Sequence, residues 1–215
     1  MANYKSSFWK NLVLVFGLIS VLWIVQFAQY FELIDLTAYG NWPHHREGLK
    51  GIIFSPFIHG SFDHLISNTL PMIVLLTVLL NAYPSVAILV LVFVHLLSGI
   101  MVWTFAPDNG VHIGISGIIY GIAAFLVASG LFRKDRTSVT IAILVGLTYG
   151  SMVWGFIPQQ GISWQSHLYG AITGVISAFI FRNRDLPEPH PLDLEPIEED
   201  RHFFDTEPHH RKEEL

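Results

Sequence analysis

Four long stretches without a charged residue limit this chain more than any other feature. No Asp, Glu, Lys or Arg occurs within residues 11–31, 64–107, 109–132 or 137–181. A membrane-spanning helix needs about 20 mostly apolar residues, so these stretches have room for one, two, one and two spans respectively. A soluble helix keeps a polar face, and a soluble core would therefore not stay uncharged over such lengths. The sequence predicts an all-α polytopic membrane protein embedded in a lipid bilayer.

Turn residues divide the long apolar stretches into individual spans. Asn81–Ser85, which contains Pro84, separates two spans, and Pro158–Gly161 separates two more. The predicted spans are 10–31, 63–82, 86–106, 115–132, 137–157 and 165–182. This gives a short cytoplasmic N-terminus over 1–9, a six-span domain over 10–182 and a tail over 183–215. The connection 32–62 is expected to be partly helical and to lie at the membrane interface.

The positions of Lys and Arg predict the orientation of the spans, because cytoplasmic loops are enriched in both residues. With the N-terminus in the cytoplasm, only Arg46 and Lys50 lie outside. The other basic residues near the spans then lie inside, namely Lys5, Lys10, Arg133, Lys134, Arg136, Arg182 and Arg184. We therefore expect both termini to be cytoplasmic. The absence of a long N-terminal domain or transit peptide suggests a prokaryotic cell membrane.

The C-terminal tail differs from the rest of the chain in composition. It holds eleven of the seventeen acidic residues and few apolar side chains, which predicts a disordered acidic tail. Its histidines are expected to be solvated and not to form a metal site. No basic patch suggests a nucleic-acid partner, and the lack of cysteine excludes disulfides and thiolate metal sites.

Polar side chains inside spans are costly, and they usually face the bundle interior or a water-filled cavity. Those with most weight here are His64, Asn68, Ser116, Tyr120 and His167, followed by His95 and His112. In the predicted orientation, spans two, four and six all run from outside to inside. At about 1.5 Å per residue, the strongest candidates then lie within about two turns of the outer end of their helices. A shared cavity that water can reach explains this common depth.

The residues around Ser116 fit nucleophilic catalysis. Gly114 and Gly117 flank it closely at the start of a span, where a backbone turn and free N–H groups are expected. A serine hydroxyl is a weak nucleophile that needs an adjacent base, and His167 is the candidate at the matching depth. Because spans four and six contain no Asp or Glu, we predict a Ser116–His167 dyad and not a triad.

Small residues would allow the two helices that carry this dyad to approach closely. Span four contains Gly117 and Gly121, and span six contains Gly170 and Gly174. Each span thus has two glycines four residues apart, a spacing that lets helices pack closely. Tyr120 follows Ser116 by one turn and is expected to pack against the imidazole and orient it.

His64 and Asn68 are four residues apart and face the same way from span two. Both side chains can donate hydrogen bonds, so we expect them to stabilise an oxyanion together with the backbone N–H of Ser116. Asp63 is the one acid near this depth.

Together these motifs resemble the rhomboid proteases over roughly residues 50–182. The matching elements are His59-x-x-x-x-His64-x-x-x-Asn68, Gly114-Ile-Ser116-Gly117-x-x-Tyr120 and His167-Leu-Tyr-Gly170 followed by Gly174. The resemblance implies a Ser116–His167 dyad, an oxyanion hole built from His64, Asn68 and the Ser116 backbone, and Tyr120 packed on His167. It also implies cleavage of a substrate's transmembrane helix near its outer end, lateral entry past span five, a cap over 158–164, and no cofactor.

One motif departs from the resemblance. Many members of the family carry a Trp-Arg pair after the first span, whereas this chain has Trp42-Pro43 with Arg46 nearby. The departure concerns the structure of that loop and not the dyad.

Other interpretations are possible for the same residues. Ser116 could bond to its own helix backbone, and His64 with Asn68 could be a polar pair that holds helices together. His95 is expected to be structural, and His59 and His112 to be loop residues without a catalytic part. A haem protein could use His95 and His167, although their predicted depths differ. A non-catalytic rhomboid-like protein that binds client helices is the main alternative, while a zinc protease would need a His-Glu-x-x-His motif that the sequence lacks.

Overall fold

A computed structural model describes residues 2–159 and 161–186. The described chain is helical, and its pairing of extended backbone is limited to two isolated bridges, Asn41 with His112 and Gln159 with Ile162. The α-helices are α1 (Ala2–Tyr30), α2 (Gly51–Phe54), α3 (Phe62–Ala82), α4 (Ala87–Phe105), α5 (Ser116–Arg133), α6 (Arg136–Tyr149) and α7 (Trp164–Ile180). The prediction of an all-helical chain is confirmed.

Within residues 2–159 and 161–186, five helical segments are long and apolar enough to cross a membrane. They are Ser7–Tyr30, Phe62–Ala82, Ala87–Phe105, Ser116–Arg133 and Arg136–Phe156, which correspond to the first five predicted spans. The sixth predicted span, 165–182, falls on α7, which has 17 residues. At about 1.5 Å per residue, α7 is roughly 5 Å shorter than a hydrocarbon core of about 30 Å.

Several helix boundaries differ from the sequence expectation. Helix α1 begins at Ala2, so the predicted N-terminal segment 1–9 is helical from its second residue. The fifth predicted span is not one α-helix, because α6 ends at Tyr149 and continues as a 3-10 helix over Gly150–Phe156. The connection 32–62 is partly helical, with α2 and 3-10 turns over Thr37–Tyr39, Arg46–Lys50 and Ser55–Phe57.

Helix α5 lies at the centre of the bundle and packs against α7 at backbone distance. A Cβ atom added to Gly170 would lie 2.0 Å from the carbonyl oxygen of Gly117, and one added to Gly174 would lie 2.1 Å from that of Gly121. Any side chain at Gly170 or Gly174 would therefore collide with the backbone of α5. This close contact fixes the two helices in register.

The end of the bundle where α5 finishes is closed by a polar cluster around Arg133. Its guanidinium lies over the Tyr83 ring at 4.5 Å and donates to the carbonyl oxygen of Phe181 at 3.1 Å. The Asp185 carboxylate accepts hydrogen bonds from the backbone and hydroxyl of Ser85. The ordered chain thus extends past residue 183, where the tail was predicted to begin, and residues 187–215 lie outside the described part.

The connection between α1 and α3 is tied to the α4–α5 loop. The indole N–H of Trp42 donates to Asp108 Oδ1 at 2.9 Å, and His45 Nε2 lies 3.0 Å from Asp108 Oδ2. The rings of Trp42 and His45 stack with centroids 3.7 Å apart. These hydrogen bonds, from His45 first and Trp42 second, lower the pKa of the exposed Asp108 carboxyl. The partners of Trp42 in this loop are thus Asp108 and His45.

Candidate active site

Ser116 and His167 meet where the N-terminal ends of α5 and α7 lie side by side. Ser116 Oγ lies 2.8 Å from His167 Nε2, and each residue is only 7% exposed. Both line a cavity of about 1120 Å³, into which the N-terminal ends of α3, α5 and α7 open. A hydroxyl within hydrogen-bonding distance of an imidazole is the arrangement that nucleophilic catalysis requires.

The turn before α5 sets the position of Ser116. Gly114 has φ +102°, a conformation that residues with a Cβ rarely adopt, and its N–H donates to the carbonyl oxygen of Ser55 at 2.9 Å. A Cβ atom at Gly114 would also lie 2.7 Å from the His64 ring. Glycine is therefore required here both by the backbone and by the neighbouring imidazole.

His59 also stabilises the turn before α5. Its Nε2 accepts a hydrogen bond from the backbone N–H of Ile115 at 3.4 Å. Burial, with a smaller contribution from the neighbouring His64, lowers the pKa of His59 to about 4, so the ring is neutral at pH 7 and has a lone pair to accept this bond. His59 thus orders the loop before Ser116.

His167 is held on its other side by the 3-10 segment Gly150–Phe156. Its Nδ1 lies 2.9 Å from the carbonyl oxygen of Gly155. A carbonyl can only accept, so this contact places the proton on Nδ1 and leaves the Nε2 lone pair for the serine hydroxyl. Gly155 therefore occupies the position that an acid fills in a Ser-His-Asp triad.

Tyr120 stacks on His167 with ring centroids 4.1 Å apart and an interplanar angle of 5°. The Tyr120 hydroxyl donates to the carbonyl oxygen of Met152 at 2.7 Å, in the same 3-10 segment that contains Gly155. Two backbone carbonyls of this segment therefore orient the histidine, one directly and one through Tyr120. Sequence reasoning missed both carbonyls, and the need for glycine at 155 becomes visible only in the structure, where a Cβ would lie 1.9 Å from Tyr120 Oη.

His64 and Asn68 line the cavity from α3, along with Asp63. Asn68 is 7% exposed, and its Nδ2 is a buried donor without a hydrogen-bond partner among the described residues. The His64 ring packs edge-on against His59 at 5.0 Å between centroids. The cavity thus has side-chain donors on α3 opposite Ser116 on α5.

The remaining intramembrane and loop histidines lie outside this pair. His95 lies in the middle of α4, with its ring 6.5 Å from that of Phe57. His112 lines the cavity but bonds to Ser163 and not to the dyad. Both ring nitrogens of His167 are engaged, so neither is free for a haem iron. No cluster of three or more His, Cys, Asp or Glu residues that could hold a metal occurs within 2–159 and 161–186.

Comparison with known families identifies this arrangement. The model of the Rhomboid domain matches residues 46–184, which include every residue of the site described above. The chain belongs to the rhomboid family. The resemblance seen in the sequence motifs is therefore confirmed, and this rhomboid is an integral membrane protein.

Similar proteins occur in mycobacteria. This rhomboid is 33% identical over 183 residues to an uncharacterized protein of Mycobacterium tuberculosis, covering 77% of this chain and 75% of the relative. The same values apply to an uncharacterized protein of Mycobacterium bovis. An uncharacterized protein of Mycobacterium leprae is 37% identical over 143 residues, or 61% of this chain and 56% of the relative. These relatives agree with a prokaryotic membrane and name no substrate.

Proposed function

We propose that this rhomboid is an intramembrane serine endopeptidase that cleaves transmembrane helices of membrane proteins near their outer end. The observation that carries the proposal is the 2.8 Å contact between Ser116 Oγ and His167 Nε2 beside a cavity of about 1120 Å³. A serine that merely bonded to its own helix would not need an imidazole at this distance.

The reaction follows from the two contacts of His167. Ser116 Oγ attacks the carbonyl carbon of the scissile peptide bond while its proton passes to His167 Nε2. The protonated imidazole then donates that proton to the leaving amine nitrogen, and the C–N bond breaks to leave an ester on Ser116. A water molecule, deprotonated by the same nitrogen, hydrolyses the ester and restores the serine. The Gly155 carbonyl keeps the required tautomer and stabilises the imidazolium.

The oxyanion would be stabilised by His64, Asn68 and the backbone N–H of Ser116, the first residue of α5. A helix leaves the N–H of its first residue without a partner in the helix. The unpaired Nδ2 of Asn68 supports its part in this set, because a buried donor without a partner is costly unless a ligand accepts from it. Gly114 leaves room for the His64 ring, whereas a Cβ at Gly117 would face the backbone of Ser166 in α7, so Gly117 would serve this site by allowing α7 to approach.

The proposed topology has six spans with both termini in the cytoplasm of a prokaryotic cell. Helix α7 would cross as a short sixth span beside α5. This places the cavity near the outer face, where a substrate helix can unwind and water can enter. Its substrates would be single helices of other membrane proteins, admitted laterally past α6, and no cofactor takes part.

A second candidate is a non-catalytic rhomboid-like protein that binds client helices in the same cavity. The presence of both Ser116 and His167 favours the protease. The two candidates differ in the reactivity of one hydroxyl, which can be measured without a known substrate.

The test is labelling by a fluorescent fluorophosphonate, in detergent and in liposomes. We expect wild type to be labelled, and Ser116→Ala and His167→Ala to lose the label. Ser129→Ala is the matched control, since Ser129 is a buried serine of α5 that does not line the cavity. The protease proposal would be refuted if folded wild type stays unlabelled or if Ser116→Ala is still labelled. The non-catalytic, client-binding protein would then be the better candidate.

A further inference from the structure

His112, which the proposed reaction does not use, is fixed to the core through its backbone. Its N–H donates to the carbonyl oxygen of Asn41 at 2.8 Å, and its own carbonyl accepts from the Asn41 N–H at 2.9 Å. The residue is 6% exposed. The imidazole is therefore attached to a rigid point between the outer connection after α1 and the turn before α5.

The His112 ring contacts the start of α7. Nδ1 lies 2.5 Å from Ser163 Oγ, which lies 2.5 Å from Ser166 Oγ. Ser163 is the N-cap residue of α7, yet its side chain makes no capping bond to that helix. Serine at an N-cap usually accepts a hydrogen bond from its own helix. Here the hydroxyl bonds to His112 and Ser166.

Burial lowers the pKa of His112 to about 4. At neutral pH the ring therefore carries one N–H and one lone pair, and Nδ1 can bond to the Ser163 hydroxyl in either role.

Ser163 ends the α6–α7 loop, of which residues 157–159 and 161–163 are described. Pro158, Gln159, Gly161 and Ile162 line the cavity with His112. The backbone hydrogen bonds of these described residues are local, from Ile162 N–H to Gln159 and from Trp164 N–H to Ile162, for example. The side chain of His112 thus connects the α6–α7 loop, through Ser163, to the backbone pairing of His112 with Asn41.

We propose that His112 is a positioning residue that holds the α6–α7 loop in place through Ser163 and thereby strengthens substrate binding. The inference rests on the proposed protease function and concerns binding of the substrate at the same site. A loop that is already held loses less conformational entropy when a substrate contacts it. The contacts of Ser116 and His167 with each other and with Gly155 do not pass through the Ser163 hydroxyl, so the reactivity of the serine is expected to be independent of His112.

The experiment separates binding from chemistry. A single-span peptide with a fluorophore and quencher on either side of its outer end is cleaved in liposomes by wild type, His112→Ala and Ser163→Ala. A hydrogen bond contributes about 1 kcal/mol, so each variant is expected to raise KM roughly fivefold. We expect kcat to change less than about twofold and the rate of fluorophosphonate labelling to stay at the wild-type value.

Further variants test the contact itself. His112→Asn keeps a hydrogen-bonding side chain and is expected to recover part of the KM loss. The double variant His112→Ala/Ser163→Ala should be no worse than either single variant, because both remove one interaction. His44→Ala is the matched control, since this outer histidine bonds to the carbonyl oxygen of Ala106 and not to the α6–α7 loop.

Hydrogen–deuterium exchange provides a readout that does not depend on catalysis. Amides of the α6–α7 loop should exchange faster in His112→Ala than in wild type or His44→Ala. An unchanged exchange rate, an unchanged or lower KM, additive effects in the double variant, or loss of labelling in His112→Ala would each overturn the inference. Failure of wild type to label at all would instead refute the proposed function, and the exchange result would still decide whether His112 holds the loop.

Discussion

His167 is positioned by two regions of the molecule that differ in packing. Its Nε2 side faces α5, in which 11 of 18 residues are buried. Its Nδ1 side faces the 3-10 continuation of α6, Gly150–Phe156, in which no residue is buried. Ser116 is thus held by the close contact between α5 and α7. The proton on His167 Nδ1 depends instead on the Gly155 carbonyl, which belongs to an exposed segment.

This difference suggests how the proposed catalytic pair could be both precise and accessible. Backbone contact between α5 and α7 holds Oγ and Nε2 together without side chains in between. The segment Gly150–Phe156 has few such constraints, with Val153 and Trp154 largely exposed. Substitutions in the α5–α7 contact should therefore reduce both stability and activity. Substitutions in Gly150–Phe156 should mainly reduce activity.

The largest effect is expected from Gly170→Ala. The added Cβ would lie 2.0 Å from the Gly117 carbonyl oxygen, so α7 must move away from α5 and separate the dyad. We expect loss of fluorophosphonate labelling and a free energy of unfolding lower by about 1–3 kcal/mol.

The matched control for this change is Gly146→Ala in α6. Nothing lies within 4 Å of a Cβ built there, so labelling should be retained. Equal losses in the two variants, measured by labelling and by unfolding in detergent, would remove the distinction between the two regions.

Asn68→Ala is expected to have the next largest effect. If its unpaired Nδ2 donates to the oxyanion, the rate of peptide cleavage should fall about 100-fold or more while KM changes little. Thermal unfolding should change far less than in Gly170→Ala. A cleavage rate within a few-fold of wild type would place Asn68 outside the oxyanion hole.

Gly155→Ala tests the exposed 3-10 segment Gly150–Phe156. The added Cβ would lie 1.9 Å from Tyr120 Oη and 3.0 Å from His167 Nδ1, so the carbonyl that orients the base must shift. We expect labelling to slow roughly tenfold, because a lost oriented hydrogen bond costs about 1–1.5 kcal/mol, with little change in stability.

Adding Tyr120→Phe to Gly155→Ala removes the atom nearest to the new Cβ and keeps the stacked ring. We expect this second change to restore part of the labelling rate. A double variant slower than Gly155→Ala alone would contradict a steric origin of the effect.

The last prediction concerns stability in acid and not activity. His59 and His112 have pKa values lowered by burial to about 4. Between pH 6.5 and 4 the unfolded chain binds protons at these rings that the folded chain does not, so stability should fall as the pH falls through this range. Each ring contributes at most about 1.4 kcal/mol per pH unit. Unfolding of His112→Asn in detergent should depend less steeply on pH than unfolding of wild type, and an equal slope would contradict the assigned burial effect.

The residues that the structure brings together were largely identifiable from sequence, but the contacts between them were not. The sequence located Ser116, His167, His64 and Asn68 at one depth, because depth depends only on position along a span. The distance of 2.8 Å between Oγ and Nε2 depends on the rotation and approach of two helices far apart in sequence. The glycines at 117, 121, 170 and 174 indicated a close contact without specifying which carbonyls it would face.

The sequence by itself determined the membrane class, the positions of the first five spans and the rhomboid family. These properties follow from uncharged length and from short motifs, both of which are local. Tertiary structure alone decided that α6 ends at Tyr149, that Gly155 and Met152 orient the base through Nδ1 and Tyr120, and that His112 bonds to Ser163. The physical reason lies in the groups involved. Gly155 and Met152 act through their backbone carbonyls, and Ser163 acts through a hydroxyl that would usually cap its own helix. Every residue has a carbonyl, so its role is set by where the fold places it and leaves no signature in the side chains.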